Sequence, residues 1–542
     1  MNENHSANYF KKNLKKNGRI IIISLIFLFN TAAFQNCSKF SSQSISSVDG
    51  ARGGVGRPVA DPPPPLPVAL NCTGIKPAIR PFPDNHNFRC DSNQIVTSSM
   101  SRSGWGFELW SDGKHHGDRR WKPSDIPAQG ITISDIPSQR FAMDSWAEIG
   151  GTSISVPVPW DAIHVQPDQF IFEPIDWILD YAICKKMKVI LKVGADANGV
   201  YHSTADWRFT EAEAARDRNG NILGDKGMSY SSAKWESNYK KFLTKLADHI
   251  FQSGRSSAVY YVTPVTTTDD EFGYKHDSGK DYSNLETQAW REWLKNKYGA
   301  NQPYGDINQI NQPDDIGGSG INRDWFIFRS ERLNRIAKIF GEAFQSKGFK
   351  TVLDAGSFVD PIKQRNTWAL PSEGGGSYIS GFKQNPAFAY NPELNAKVLS
   401  CSGKWSSNEW TWSREEDGNS YNNLNVNNFV DRVKRSINAG VTDISYSFFE
   451  PRQKDGSTGL NYSDFVPHPE IANIMSSLSQ SGYLNKRQQC KKDYSKVVNF
   501  SLQQILNNGG FGNYENELRT AIQQSGVDNT CVNLQNDLDI KF

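Results

Sequence analysis

From about residue 95 to 480, short β-branched runs alternate with amphipathic helical stretches, several of the helices stop at glycine, and no Gly-rich fingerprint follows a first strand. Together these predict an α/β protein: a (β/α)8 barrel with a disordered N-terminal tether and a small helical C-terminal extension. A doubly wound open sheet is the runner-up, and the missing fingerprint argues against it. A chain of 542 residues has room for one barrel of roughly 250 to 400 residues plus attachments.

Six strands read clearly, at 152–160 (TSISVPVPW), 188–193 (KVILKV), 258–265 (AVYYVTPV), 350–356 (KTVLDAG), 396–403 (AKVLSCSG) and 443–449 (DISYSFF). Two weaker ones lie near 104–110 (GWGFELW) and 376–382 (GSYISGF). Helices are expected between them, among them PIDWILDYAICKKM and WESNYKKFLTKLADHIFQSG, whose apolar residues recur at helical spacing. The expected division is a signal peptide over 1–36, a Ser/Gly/Pro-rich linker over 37–70, a small N-terminal segment over 71–94, the barrel over 95–480 and the helical extension over 481–542. In the linker, the PPPP run favours an extended polyproline conformation.

Composition narrows the function. Hydrophobic residues at 37% and charged residues at 22% describe a globular chain, and a net charge of +2 supplies no broad cationic surface for phosphates. Nucleic acid is therefore not an expected partner. Aromatic residues reach 12%, among them 15 Trp, and with abundant Asn, Ser and Gly they suit stacking on and hydrogen bonding to sugars. There is no CxxC and no HExxH, so neither a metal nor another cofactor is expected. No GxSxG elbow supports a serine esterase.

In barrels of this kind catalytic groups stand at the C-terminal ends of strands and in the loops that follow. Two acidic clusters occupy such places. Asp269, Asp270 and Glu271 follow AVYYVTPV, and Glu409 follows AKVLSCSG, in KWSSNEWTW. Two carboxyl groups facing one another across a sugar are what glycosidic cleavage requires, one protonating the leaving oxygen and one attacking or activating water. Trp160, Trp405, Trp410 and Trp412 are placed near the mouth as stacking surfaces, with Trp207 and His202 behind them and Glu108 lining the site from the first strand. Glu450, at the end of the eighth strand, is a rival carboxylate.

The stretches GGTSISVPVPWDAIHVQPDQFIFEPIDWILDYAICKKMKVILKV, DDEFGY, QAWREWLKNKYG, VLSCSGKWSSNEWTW and INAGVTDISYSFF, in that order, resemble the retaining β-glycosidases with a (β/α)8 barrel, most nearly glycoside hydrolase family 42, the β-galactosidase type. The resemblance implies an acid/base role for Glu271 and a nucleophile role for Glu409, 138 residues apart. It also implies a carbohydrate substrate with a β linkage. Where the family usually has Asn before its acid/base, touching the sugar 2-hydroxyl, this chain has Asp270. The alternative to an enzyme is a surface-tethered carbohydrate-binding protein on a catalytically inactive barrel.

At the N-terminus, Lys11, Lys12, Lys15, Lys16 and Arg19 precede an apolar run from Ile20 to Phe29, and Cys37 comes shortly after it. The layout is that of a signal peptide, and the run of about ten residues is short for a membrane span of about 20. Cys37 trailed by SKFSSQSISS resembles a bacterial lipoprotein with a flexible tether, which implies export to the cell envelope with membrane contact through a lipid on Cys37 alone. Six further cysteines are then free to form disulfides. Cys72 with Cys90, and Cys490 with Cys531, are spaced to staple terminal elements, while Cys184 and Cys401 read as buried thiols. Lipidation is testable by fractionation: Cys37→Ala should release the protein from membranes or block its maturation, and unchanged membrane association would point to an uncleaved helix.

Overall fold

The structure, a computed structural model, describes residues 70–102, 137–195, 207–313, 320–354, 378–384, 396, 405–412, 426–448 and 469–488, apart from positions 85, 87, 89–93, 224–225, 267–270, 274–280 and 486. Eight parallel strands form one ring: β1 (Thr97–Arg102), β2 (Ser153–Val158), β3 (Lys188–Gly194), β4 (Val259–Val265), β5 (Val352–Asp354), β6 (Gly381–Gln384), β7 (Trp405–Trp412) and β8 (Asp443–Phe448). The hydrogen-bonded order is β4-β3-β2-β1-β8-β7-β6-β5. A parallel bridge between Val262 and Thr351, with Val262 N–H donating to the Lys350 carbonyl at 2.9 Å, joins β4 to the start of β5 and closes the ring. This is the (β/α)8 barrel.

The helices are α1 (Pro137–Glu148), α2 (Glu173–Lys185), α3 (Ala233–Gln252), α4 (Asn284–Tyr298), α5 (Gly320–Gln345), α6 (Val426–Asn438) and α7 (Pro469–Gln480). Local sequence explains their ends. Ser232 Oγ accepts from Trp235 N–H at 3.0 Å and caps α3, whose buried face is Trp235, Tyr239, Phe242, Leu243, Leu246 and Ile250 at helical spacing. Ser283 caps α4 by accepting from Glu286 N–H. At the end of α2, Lys186 takes a left-handed conformation (φ 55°) that turns the chain directly into β3.

Strand side chains alternate between the helices outside and the ring interior. Ile154, Val156 and Val158 of β2, and Val189, Leu191 and Val193 of β3, belong to the large apolar cluster shared with the helices. A second cluster fills the N-terminal end of the ring: Ile190, Tyr260, Tyr261, Val352 and Trp405 meet Phe82 and Phe88 from the segment that precedes β1. That segment is sewn in place. Ala78 and Phe82 donate N–H bonds to the carbonyls of Lys185 and Lys186, each at 2.8 Å, and the Arg80 guanidinium bonds the carbonyls of Val96 and Leu484. Further along, Gln94–Ile95 pairs antiparallel with Arg487–Gln488, the start of the C-terminal extension.

Several expectations change. The first strand is Thr97–Arg102 rather than 104–110, which lies outside the described residues. The seventh is Trp405–Trp412 rather than 396–403, so KWSSNEWTW is the strand and not the loop after it. The reason is its polar interior side: Ser407 and Glu409 face inward where apolar residues were sought, while Trp410 packs outward on Phe429 of α6. Cys184 is not a free thiol; it bonds Cys72 across 112 residues and ties the N-terminal segment to α2. Cys37, Cys90, Cys401, Cys490 and Cys531 lie outside the described residues.

The disulfide and two buried imidazoles each give a stability prediction. Breaking the Cys72–Cys184 link, by Cys72→Ala or by reduction, should cost about 2–5 kcal/mol and lower the melting temperature. Burial, with the Lys188 charge nearby, pushes the His86 imidazole down to about 3, and burial chiefly pushes His164 down to about 4. Between the ordinary value of 6.5 and these values the unfolded chain binds protons that the folded one refuses. Stability is thus full above pH 6.5 and falls as the pH drops towards 3, by at most about 1.4 kcal/mol per pH unit for each imidazole. Urea titrations across this range should show a shallower slope in His86→Phe, and equal slopes would refute the assignment.

Candidate active site

A carboxylate inside the ring must be met by donors or cations, and the barrel does this in two layers. In the lower layer Asp443, first residue of β8 and fully buried, accepts from Thr97 Oγ1 and Ser99 Oγ, each at 2.6 Å, and from Ser407 Oγ at 2.7 Å. Burial pushes its carboxyl up, and the three hydroxyls together with the Lys383 charge oppose that push. Beneath it the Tyr260 hydroxyl takes the Trp405 indole N–H at 3.0 Å and pairs with Thr97 Oγ1 and His86 Nε2.

The upper layer is ionic. Lys383 Nζ of β6 lies 2.6 Å from Glu409 Oε2 of β7 and 2.5 Å from Asp354 Oδ2 of β5, and Lys192 of β3 lies 3.3 Å from the same Asp354 oxygen. Strands β3 and β5 are not neighbours, so these side chains meet through the interior. Two ammonium groups and two carboxylates make a formally neutral set. Burial alone would pull Lys383 down, but Asp354 and Glu409 outweigh it and hold the ammonium above the ordinary lysine range. Facing them, the Tyr261 phenol is pushed well up, by burial first and by the surrounding carboxylates second.

Glu271 follows β4 and is buried, with a relative exposure of 5%, as is Glu409. Its backbone is held on both sides. Thr266 N–H donates to the Glu271 carbonyl at 2.9 Å, Phe272 N–H donates to the Asp354 carbonyl at 2.6 Å, and Gly273 N–H donates to Thr266 Oγ1 at 2.8 Å. Glu271 and Glu409 are thus carried by the fourth and seventh units of the barrel, and Asp354 of β5 reaches towards both, bonding the backbone of Phe272 beside Glu271 and pairing with Lys383 of β6, which pairs with Glu409.

The tryptophans are elsewhere. Trp405 stacks on Phe88 at 5.2 Å in the floor of the ring. Trp410 is fully buried against α6. Trp160 is enclosed between Phe242 and the Arg208 guanidinium, which lies 3.8 Å from its ring, and donates its indole N–H to His164 Nδ1. These three indoles serve packing, and none offers a face to a sugar in this arrangement. Trp207 is half-buried and donates to the His164 carbonyl at 3.3 Å. Asp270, Glu108, His202 and Glu450 lie outside the described residues, as does the Trp412 side chain.

Lys192, Asp354, Lys383 and Asp443 were not singled out from the sequence. Their signal was present: each is a charged residue inside or at the edge of a short apolar run, in KVILKV, KTVLDAG, SGFKQ and DISYSFF. Among the described residues no group of three or more His, Cys, Asp or Glu side chains converges as a metal site would. Two surface cavities, one lined by Lys76, Asp144, Tyr181 and Lys185 and the other by Tyr298, Tyr304, Arg323 and Asp324, include neither Glu271 nor Glu409.

The match of part of the chain to a family model supports a glycoside hydrolase. Residues 104–332 match the family model of glycoside hydrolase family 42, described as beta-galactosidase, a span that takes in Glu271 and ends before Glu409. Two of the solved structures that align with the chain show the extent of the likeness. One is the catalytic domain of beta-amylase from Paenibacillus polymyxa, at 13% identity and a TM-score of 0.47, covering 65% of this chain and 96% of that one. The other is beta-galactosidase from the psychrophilic Marinomonas ef1, at 15% identity and a TM-score of 0.47, covering 72% of this chain and 60% of that one. No curated protein matches.

Proposed function

We propose that the chain is an exported glycosidase that cleaves a β-linked glycan, of β-galactoside type, with retention, through Glu409 as nucleophile and Glu271 as acid/base. The observation that carries this reading is the Lys383–Glu409 pair at 2.6 Å inside the barrel, because a cation at that range favours the carboxylate that attack requires. In the first step a Glu409 oxygen bonds the anomeric carbon as the glycosidic C–O bond breaks, and the leaving oxygen takes the proton of Glu271. In the second, water gives a proton to Glu271 and its oxygen to the anomeric carbon, and the bond to Glu409 breaks.

Export is supported by the basic and apolar N-terminus and by the Cys72–Cys184 disulfide, a bond that persists in oxidising compartments. Among the described residues no helix is long and apolar enough to cross a membrane; anchorage through a lipid on Cys37 is proposed from the N-terminal sequence alone.

A panel of aryl β-glycosides, with the product anomer followed by NMR, tests the reading. Glu409→Ala should abolish turnover, and azide should restore it with the opposite anomeric outcome. Glu271→Ala should keep near-normal rates on substrates with good leaving groups and lose about 10²–10⁴-fold on poor ones. Wild-type activity in both variants would refute the assignment, and loss confined to Glu450→Ala would move the nucleophile to the eighth unit.

A further inference from the structure

We infer that Asp354 and Lys383 are positioning residues that couple the two carboxylates of the active site, an inference that rests on the roles proposed above for Glu271 and Glu409. Asp354 ends β5, a strand of three residues, and it touches both halves of the machinery. Its carbonyl oxygen accepts from Phe272 N–H at 2.6 Å, which fixes the backbone next to Glu271. Its carboxylate lies 2.5 Å from Lys383, and the same ammonium lies 2.6 Å from Glu409 Oε2. One residue thereby sets the separation of two groups carried by strands on opposite sides of β5 and β6. Closeness of this kind matters because a misplacement of about 1 Å at a reacting carboxylate costs on the order of 10²-fold in rate.

The charges make the coupling more than mechanical. Lys383 divides one positive charge between two carboxylates, so the share that reaches Glu409 depends on Asp354. Among the described residues, the charged and titratable groups linked to Glu409, directly or through Lys383 and Asp354, are Lys383 on β6, Asp354 on β5, Lys192 on β3, Tyr261 on β4 and Asp443 on β8. Burial keeps the Tyr261 phenol neutral across the working range, so it contributes no charge. Removing the negative charge of Asp354 leaves Glu409 in a more positive surrounding and makes it easier to ionise. Removing the positive charge of Lys383 does the reverse.

The acid limb of the kcat/KM profile of the full chain, measured on an aryl β-glycoside, reads this balance, because it reports ionisation of the nucleophile in the free enzyme. Asp354→Asn, which leaves the carbonyl bond to Phe272 in place, should move the limb to lower pH by about one unit, and Lys383→Met should move it to higher pH by a similar amount. The double variant Asp354→Asn, Lys383→Met should return it close to the wild-type position. A purely structural role would lower kcat in all three without opposed shifts. An unmoved limb in a folded Asp354→Asn, beside an inactive Glu409→Ala, would overturn the positioning role alone. Full activity in Glu409→Ala would instead remove the reading beneath it, and the positioning role with it. If Lys383→Met fails to fold, the direction of the Asp354→Asn shift decides: downward supports the coupling, and none or upward overturns it.

Discussion

A closed ring of eight strands has no room for bulk water, so every charge placed inside it must find its counterpart there. Barrels of this kind ordinarily fill their interiors with branched apolar side chains. Here the inward positions of several strands hold Thr97, Ser99, Asp443, Ser407, Lys192, Asp354, Lys383 and Glu409. The rest of the site depends on how these cancel. Asp443 takes hydroxyl donors at 2.6–2.7 Å from β1 on one side and β7 on the other, and burial still holds its carboxyl above the ordinary range. The upper carboxylates instead take full charges, with Lys383 serving two of them at once.

Such an arrangement needs a dry floor, since water entering from the N-terminal end would screen every one of these contacts. The segment before β1 supplies it. Phe82 and Phe88 pack on Tyr260, Tyr261 and Trp405, and Arg80 and the Cys72–Cys184 bond hold the segment against α2 and the start of the C-terminal extension. What reads in sequence as a small N-terminal segment separate from the barrel contributes Phe82 and Phe88 to its core. The disulfide thus supports the electrostatics of a site far along the chain by keeping its base closed.

The legible parts of the chain are those where one rule governs. Strands β2, β3, β4 and β8 and the helices before them follow buried apolar runs and helical spacing, and Ser232 and Ser283 announce helix starts. Strands β6 and β7 do not. Gly381 is required because a Cβ there would lie 2.4 Å from the Trp405 carbonyl, and the weak strand expected at 376–382 overlaps β6 only at Gly381 and Phe382. Trp405 and Trp410 look like sugar platforms beside an acidic residue, yet one closes the floor and the other faces α6, because alternation sends neighbours in a strand to opposite sides. Glu409 was legible as a chemical residue while its strand was not, and Cys184 was legible as buried while its partner, 112 residues away, was not.

The failures of local reading are not scattered. In β7 the outward residues Asn408 and Trp410 meet Ser436 and Phe429 of α6, and the strand's ionisable residue, Glu409, faces inward on the same side as Ser407. The same holds in β3, where Val189, Leu191 and Val193 pack outward and Lys192 alone breaks the run from within. A sequence under selection for stability alone would replace this ionic set with well-packed apolar residues, which is often neutral or stabilising. Its concentration on one side of several strands, around the two carboxylates, marks the interior as the place where local consistency yields to chemistry.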